Sequence, residues 1–142
     1  MKTGIATFAL AAALVVPGVI AARAMTADGA IATTPPSILV YDQKIDGKSI
    51  AAKYVNLPRD GYVVVYATDG AKLSSDIVGT LALKKGDHRD VKIELQKAPE
   101  KGAALWATLY EDVDGDGKFD KGKDKSFWSG ELPPTDSRFN VL

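Results

Sequence analysis

The densest group of side chains able to bind or react runs Glu111-Asp112-Val113-Asp114-Gly115-Asp116-Gly117-Lys118-Phe119-Asp120. Carboxylates at alternate positions of a tight loop can turn inward together. Calcium takes about six to eight oxygen ligands at roughly 2.3–2.6 Å. Asp112, Asp114 and Asp116 occupy the first, third and fifth positions of such a loop, and Gly117 sits where the chain must turn sharply. The Lys118 carbonyl would be the backbone ligand, Phe119 the apolar anchor, and Asp120 a ligand acting through water. The twelfth position should bring a bidentate carboxylate, but it is Lys123; Asp124 follows one residue later and substitutes only in a longer loop. Calcium is therefore the cation to test, with Asp112, Asp114, Asp116, Lys118, Asp120 and Asp124 as its ligands. The same residues have a second reading. Asp and Gly make surface turns, Asp-Gly recurs at Asp46-Gly47 and Asp69-Gly70, and Lys118, Lys121, Lys123 and Lys125 can neutralise the acids.

Other chemistry has thin support. His88 is the only histidine and stands in the polar run Gly86-Asp87-His88-Arg89-Asp90, which reads as a solvated turn. There is no Gly-x-Ser-x-Gly elbow, phosphate loop, dinucleotide fingerprint or His-Glu-x-x-His. The chain has no cysteine, which excludes disulfides, thiolate metal sites, a cysteine nucleophile and a lipoprotein anchor. The expectation is a non-enzyme. Trp106, Trp128, Tyr41, Tyr54, Tyr62, Tyr66 and Tyr110 could stack on sugars, but most alternate within β-rich runs, where core or cross-strand packing is the commoner fate.

These residues need a scaffold, and the pattern around them is that of strands. Runs at 37–43, 49–55, 62–67, 77–83, 90–95, 103–111, 126–128 and 138–142 are β-branched or aromatic, and are divided by Asp46-Gly47, Pro58 to Gly61, Asp69-Gly70, Lys84 to Asp87 and Pro133-Pro134. In the second run Ile50, Ala52 and Tyr54 share a face against Lys53. The run from Tyr62 to Ala67 is apolar without a break, as in a strand buried on both sides. Val91, Ile93 and Leu95 point inward against Lys92 and Glu94; Leu105, Ala107 and Leu109 oppose Trp106, Thr108 and Tyr110. No helical period persists beyond a turn or two. The sequence predicts an all-β, antiparallel Ig-like sandwich of seven or eight strands.

Residues 1–24 differ from the rest. Lys2 precedes an uncharged apolar run from Ile5 to Ala22, broken by Pro17-Gly18, and Ala22-Arg23-Ala24 places small residues where a signal peptidase needs them. Cleavage after Ala24 is the expectation, with an uncleaved membrane anchor as the alternative. Either leaves the remainder outside the cytoplasm, whether periplasmic, secreted or at the cell surface. Residues 25–36 read as a flexible lead-in and residues 37–142 as the domain. The whole chain has 18 basic and 18 acidic residues, and losing Lys2 and Arg23 leaves it slightly acidic. Nucleic acid and anionic membrane are thereby disfavoured as partners, and a partner in the envelope or outside the cell is expected.

The succession Val40-Tyr41-Asp42-Gln43 to Asp46-Gly47, Gly61-Tyr62-Val63-Val64-Val65, Ile77-Val78-Gly79 and Leu105-Trp106-Ala107-Thr108-Leu109-Tyr110-Glu111-Asp112 resembles an exported β-sandwich domain of unknown function from archaeal and bacterial surface or periplasmic proteins. The likeness covers nearly all of residues 37–142 and implies an Ig-like fold and export, with no activity to carry over. Members of that family often have histidine where this chain has Tyr110, and a phenol replaces imidazole poorly at a transition metal. The reading is thus a non-catalytic binding or structural module stabilised by calcium; the alternative is an adhesion or carbohydrate-binding module using exposed aromatics.

Overall fold

Eight strands form among the residues that the computed structural model describes, 34–69, 72–127 and 135–142. They are β1 (Ser37–Leu39), β2 (Ser49–Leu57), β3 (Gly61–Asp69), β4 (Lys72–Leu83), β5 (Gly86–Glu94), β6 (Ala104–Glu111), β7 (Lys125–Ser126) and β8 (Asp136–Asn140). None of the described residues is helical. The proposed signal segment, most of the lead-in, Gly70, Trp128 and Pro133-Pro134 lie outside the described residues.

Two antiparallel sheets result. One has the order β1-β2-β5; the other has β4-β3-β6, with β7 and β8 following each other along the far edge of β6. Both sheets feed one apolar core: Ile38, Ile50, Val55, Leu57 and Ile93 come from the first, and Val63, Val65, Leu105, Leu109 and Phe139 from the second. Each such side chain, once fully buried, contributes about 1.5–3 kcal/mol against the entropy of ordering the chain. The inward sets expected for the fifth and sixth runs hold: Ile93 and Leu95 are buried with Val91 packed beside them, and so are Leu105, Ala107 and Leu109.

β3 is central to the second sheet and is covered on both faces. Val63 and Val65 enter the main core, while Tyr62, Val64 and Tyr66 form a second apolar cluster on the outer face with Ile77, Trp106, Tyr110 and Phe119. Its unbroken apolar run reflects this double burial.

β2 departs from the expected alternation. Ile50 and Ala52 face the core, but the next inward residues are Val55 and Leu57, and Tyr54 is only half-buried. The phase changes beside the pair Lys53 and Asp90, and Asp90 has φ 50°, a left-handed conformation that aspartate tolerates better than most residues. Tyr54 instead donates its hydroxyl to Asp87 Oδ1 at 2.7 Å and lies under the Arg89 guanidinium, 5.5 Å from the ring centre.

The first run is shorter than its composition suggests because the chain changes sheets after Leu39. Val40 N–H donates to Ser137 Oγ at 3.0 Å, and Gln43 bridges in parallel to Val141. The Gln43 side chain then replaces the missing strand: its Oε1 accepts from Ala51 N at 2.8 Å and its Nε2 donates to Ala51 O at 3.0 Å. The other seam is closed by the bridge between Gly79 and Leu95 and by Gln96 N donating to Val78 O at 2.7 Å.

Candidate cation site

The loop between β6 and β7 is rooted in a close backbone approach. Gly61 opens β3 opposite Glu111, and a Cβ at Gly61 would lie 2.1 Å from the Tyr110 carbonyl oxygen. One residue later Asp112 N donates to Asp60 O at 3.0 Å. Charged pairs brace this corner: Arg59 to Glu111 at 2.6 Å and Lys84 to Asp60 at 2.7 Å. The Asp60 carboxyl is held below its usual range by the Lys84 hydrogen bond and then by the Lys85 amide.

From that root the chain curls around the Asp112 carboxylate. Asp112 Oδ1 accepts from Gly115 N at 2.8 Å and Oδ2 from Gly117 N at 3.1 Å. Both glycines have φ 70°, where a side chain would be strained, so the glycines at these two places make the curl possible. Asp114 Oδ1 and Asp116 Oδ1 accept from the amides two residues ahead, at 3.3 and 2.7 Å, the second from Lys118. The outcome is convergence: Asp112, Asp114 and Asp116 each offer a carboxylate oxygen within 4.8 Å of the others. Burial favours the protonated acid at Asp112, but the amides of Gly117 and Gly115, with Tyr62 nearby, outweigh it and hold this carboxyl below its ordinary value.

The remaining sequence candidates are placed differently. Asp124 is buried and faces inward under the loop, where Oδ1 accepts from Val113 N at 3.2 Å and Oδ2 from Asp120 N at 2.7 Å. It ties the entry of the loop to its exit. Asp120 lies outside the converging trio: Oδ1 accepts from Gly122 N at 2.8 Å, and Oδ2 is 3.7 Å from Lys123 Nζ. The same ammonium is 3.7 Å from Asp114 Oδ2. Lys118 contributes its amide to Asp116, as above, and its side chain is exposed.

Phe119 fixes the loop laterally. Its ring meets Tyr62 and Tyr110 edge-on, with centroids 5.7 and 4.9 Å away, and Lys121 Nζ sits 5.6 Å above the Tyr66 ring. The acidic loop therefore lies across the outer face of the larger sheet instead of capping one end of the sandwich. Beneath it the Tyr62 hydroxyl is buried, on a residue 2% exposed, and it faces the Asp112 carboxylate without forming a hydrogen bond of good geometry. Its neighbours are carboxylates. Burial first, then the pull of the hydroxyl proton toward the Asp112 carboxylate and that group's charge, then the charges of Asp124 and Asp116, push the phenol well above its ordinary pKa. Tyr66, bonded to Tyr110 through their hydroxyls at 3.0 Å, is raised for the same leading reason.

A folded-state value above the unfolded one, about 10 for tyrosine, gives stability that is complete below that pH and is lost as the pH rises through the raised value. An absorbance titration at 295 nm should leave Tyr62 and Tyr66 protonated at pH 10.5 to 11, about where an unperturbed phenol is largely ionised. Their ionisation should coincide with unfolding followed by circular dichroism. Smooth titration of all five tyrosines around pH 10 in a folded protein would contradict this burial.

His88 lies within β5, not on a turn. It is half-buried opposite Val55, and its Nε2 is 2.7 Å from the Lys84 carbonyl oxygen. Of the aromatics considered for stacking, Tyr62 and Tyr66 are buried, Trp106, Tyr110 and Tyr54 half-buried, and Tyr41 exposed. At the opposite end of β3 and β6 a cleft of about 340 Å³ is lined by apolar residues such as Val78, Leu95 and Leu105 together with Thr68, Lys97 and Glu100.

Sequence reasoning located the converging aspartates but missed Tyr62, which it placed among strand aromatics. It also missed the buried pinning role of Asp124. One signal was available for each: a tyrosine beginning a doubly buried strand needs a partner for its hydroxyl, and a thirteenth-position acid is one residue out of step for a ligand. No curated protein and no solved structure matches the chain. Residues 36–136 match the family described as domain of unknown function DUF7282, a span that takes in β1 to β7 and the whole acidic loop, and the chain belongs to that family.

Proposed function

We propose that this protein is an exported, non-catalytic module with an Ig-like sandwich, and that its acidic loop binds calcium through Asp112, Asp114 and Asp116, with the Lys118 carbonyl and water completing the shell. Asp120 acts through water, and Asp124 supports the loop from below. The observation that carries this reading is the convergence of three carboxylates above a buried tyrosine hydroxyl that stands against Asp112 without a well-formed hydrogen bond. Water held by the ion would give that hydroxyl the hydrogen bond it lacks. Calcium would tie the end of β6 to the outer face of the sheet and stabilise the native state by mass action. A four-ligand, open loop belongs with the weak calcium sites of extracellular modules, which dissociate at about 0.1–1 mM, in keeping with the targeting segment read at residues 1–24. A glycan-binding role has less support, because the rings of Tyr62 and Tyr66 are not available to a sugar.

Calcium titration followed by melting temperature, together with terbium luminescence excited through tyrosine, tests the reading. At a calcium concentration a hundred times the dissociation constant, the native state should gain about 2.7 kcal/mol. Terbium emission should appear in the wild type, weaken in Tyr62→Phe and vanish in Asp112→Asn. An unchanged melting temperature at 10 mM calcium, with no sensitised emission, would end the proposal.

A further inference from the structure

The side of the loop where a calcium site would receive its last carboxylate is occupied by a positive group. Lys123 Nζ stands 3.7 Å from Asp114 Oδ2 and 3.7 Å from Asp120 Oδ2. Asp114 is one of the three converging carboxylates, so the ammonium and an incoming cation would share a ligand. The contacts are long and the side chain is 61% exposed, so it can swing into water at little cost. The acids alone would not define a site. Beneath them lies the buried Tyr62 hydroxyl, which faces Asp112 but makes no hydrogen bond of good geometry, leaving a polar atom aimed at the acids and poorly satisfied.

We infer that Lys123 is a resident, displaceable counter-ion of the cation site, an ammonium standing in for the twelfth-position carboxylate, and that it holds calcium affinity low. This rests on the calcium reading above. In the free protein Lys123 relieves the repulsion between Asp114 and Asp120. When a divalent ion enters, two positive charges compete for Asp114 and the lysine leaves. The loop then responds only at high calcium, and added salt should weaken calcium binding by screening the same carboxylates. Removing the ammonium should tighten binding, and a carboxylate at this position should tighten it further by supplying the absent ligand.

Isothermal titration of calcium into the full chain and its Lys123→Arg, Lys123→Gln and Lys123→Glu variants decides the matter. Because Lys123 is exposed, all four should fold, which their melting curves check. The expected order of affinity is Arg equal to wild type, Gln several-fold tighter and Glu at least tenfold tighter. If the wild type binds but Gln and Glu are no tighter, Lys123 does not compete and this inference fails while the calcium reading stands. If neither the wild type nor Lys123→Glu binds at 10 mM calcium, both fail. Binding by Lys123→Glu alone would establish Lys123 as the barrier and overturn calcium as the natural ligand.

Discussion

Gly61→Ala should cost about 3 kcal/mol or more, seen as a melting temperature lower by about 10 °C. The new Cβ would lie 2.1 Å from the Tyr110 carbonyl oxygen and 3.1 Å from its carbon. These are backbone atoms paired within a sheet, so no rotamer change relieves the overlap; β3 and β6 must separate where Gly61 faces Glu111. That is also where Asp112 N reaches Asp60 O, so the root of the acidic loop moves with the strands. Calcium response and stability should therefore fall together in this variant. Gly47→Ala is the useful contrast, because its Cβ would meet nothing within 4 Å and only the strain of φ 75° would be felt. A loss at Gly61 no larger than at Gly47 would show that β3 and β6 yield to the methyl group at little cost, and the close approach would then not be what requires glycine there.

Asp124→Ala comes next, with an expected loss of about 2–3 kcal/mol by thermal or denaturant unfolding, since hydrogen bonds to a charged acceptor contribute about 1.5–3 kcal/mol each and part of the loss is recovered by water. Asp124 is 7% exposed, and each of its oxygens accepts one backbone amide, from Val113 and from Asp120. Truncation leaves both donors without their acceptor and frees the two ends of the loop from each other. Asp124→Asn keeps one accepting oxygen but turns an N–H toward the second donor, so it should lose about half as much. Neither variant removes a converging carboxylate, yet both should weaken terbium binding, because Asp112, Asp114 and Asp116 would no longer be held in one place. Stability that is lost with terbium binding unchanged would mean that Asp124 supports the fold and not the loop.

The strands were legible because period-two patterning is set locally. Val91, Ile93 and Leu95 alternate cleanly with charged neighbours, and a sheet facing a core on one side accepts no other phase. The double burial of β3 was legible for a related reason, since only a covered outer face tolerates Tyr62, Val64 and Tyr66 side by side with Val63 and Val65. The phase change at Lys53 was not. It depends on a paired distortion with Asp90 on another strand, and nothing near Tyr54 in sequence announces its partner. At the site, the alternation of Asp112, Asp114 and Asp116 with two glycines spelled out the curl. That the Tyr62 hydroxyl needs a polar neighbour could be read from its doubly buried strand, but not that the curl supplies it, because Tyr62 is distant in sequence and arrives through sheet pairing with Tyr110. Asp124 looked like a ligand because spacing counts residues; burial, which turns its oxygens toward Val113 and Asp120, is a property of the folded loop.

The two stitched seams bear on how this protein behaves in a crowd. A sandwich normally exposes four strand edges, each a template on which another molecule can add a strand. Here the edges of β4 and β5 meet through Gly79 and Leu95, and the chain after β1 meets the chain after β8 through Gln43 and Val141. Gly79 allows the first junction because even a methyl group there would press within 2.8 Å of Leu95 and 3.0 Å of the Glu94 carbonyl oxygen. Each junction is a single bridge, yet it pins two edges to each other at one point, so a strand added along either edge by another molecule would have to break it. Loosening Gly79 would then be felt first as concentration-dependent aggregation, before any change in the acidic loop on the outer face of the larger sheet.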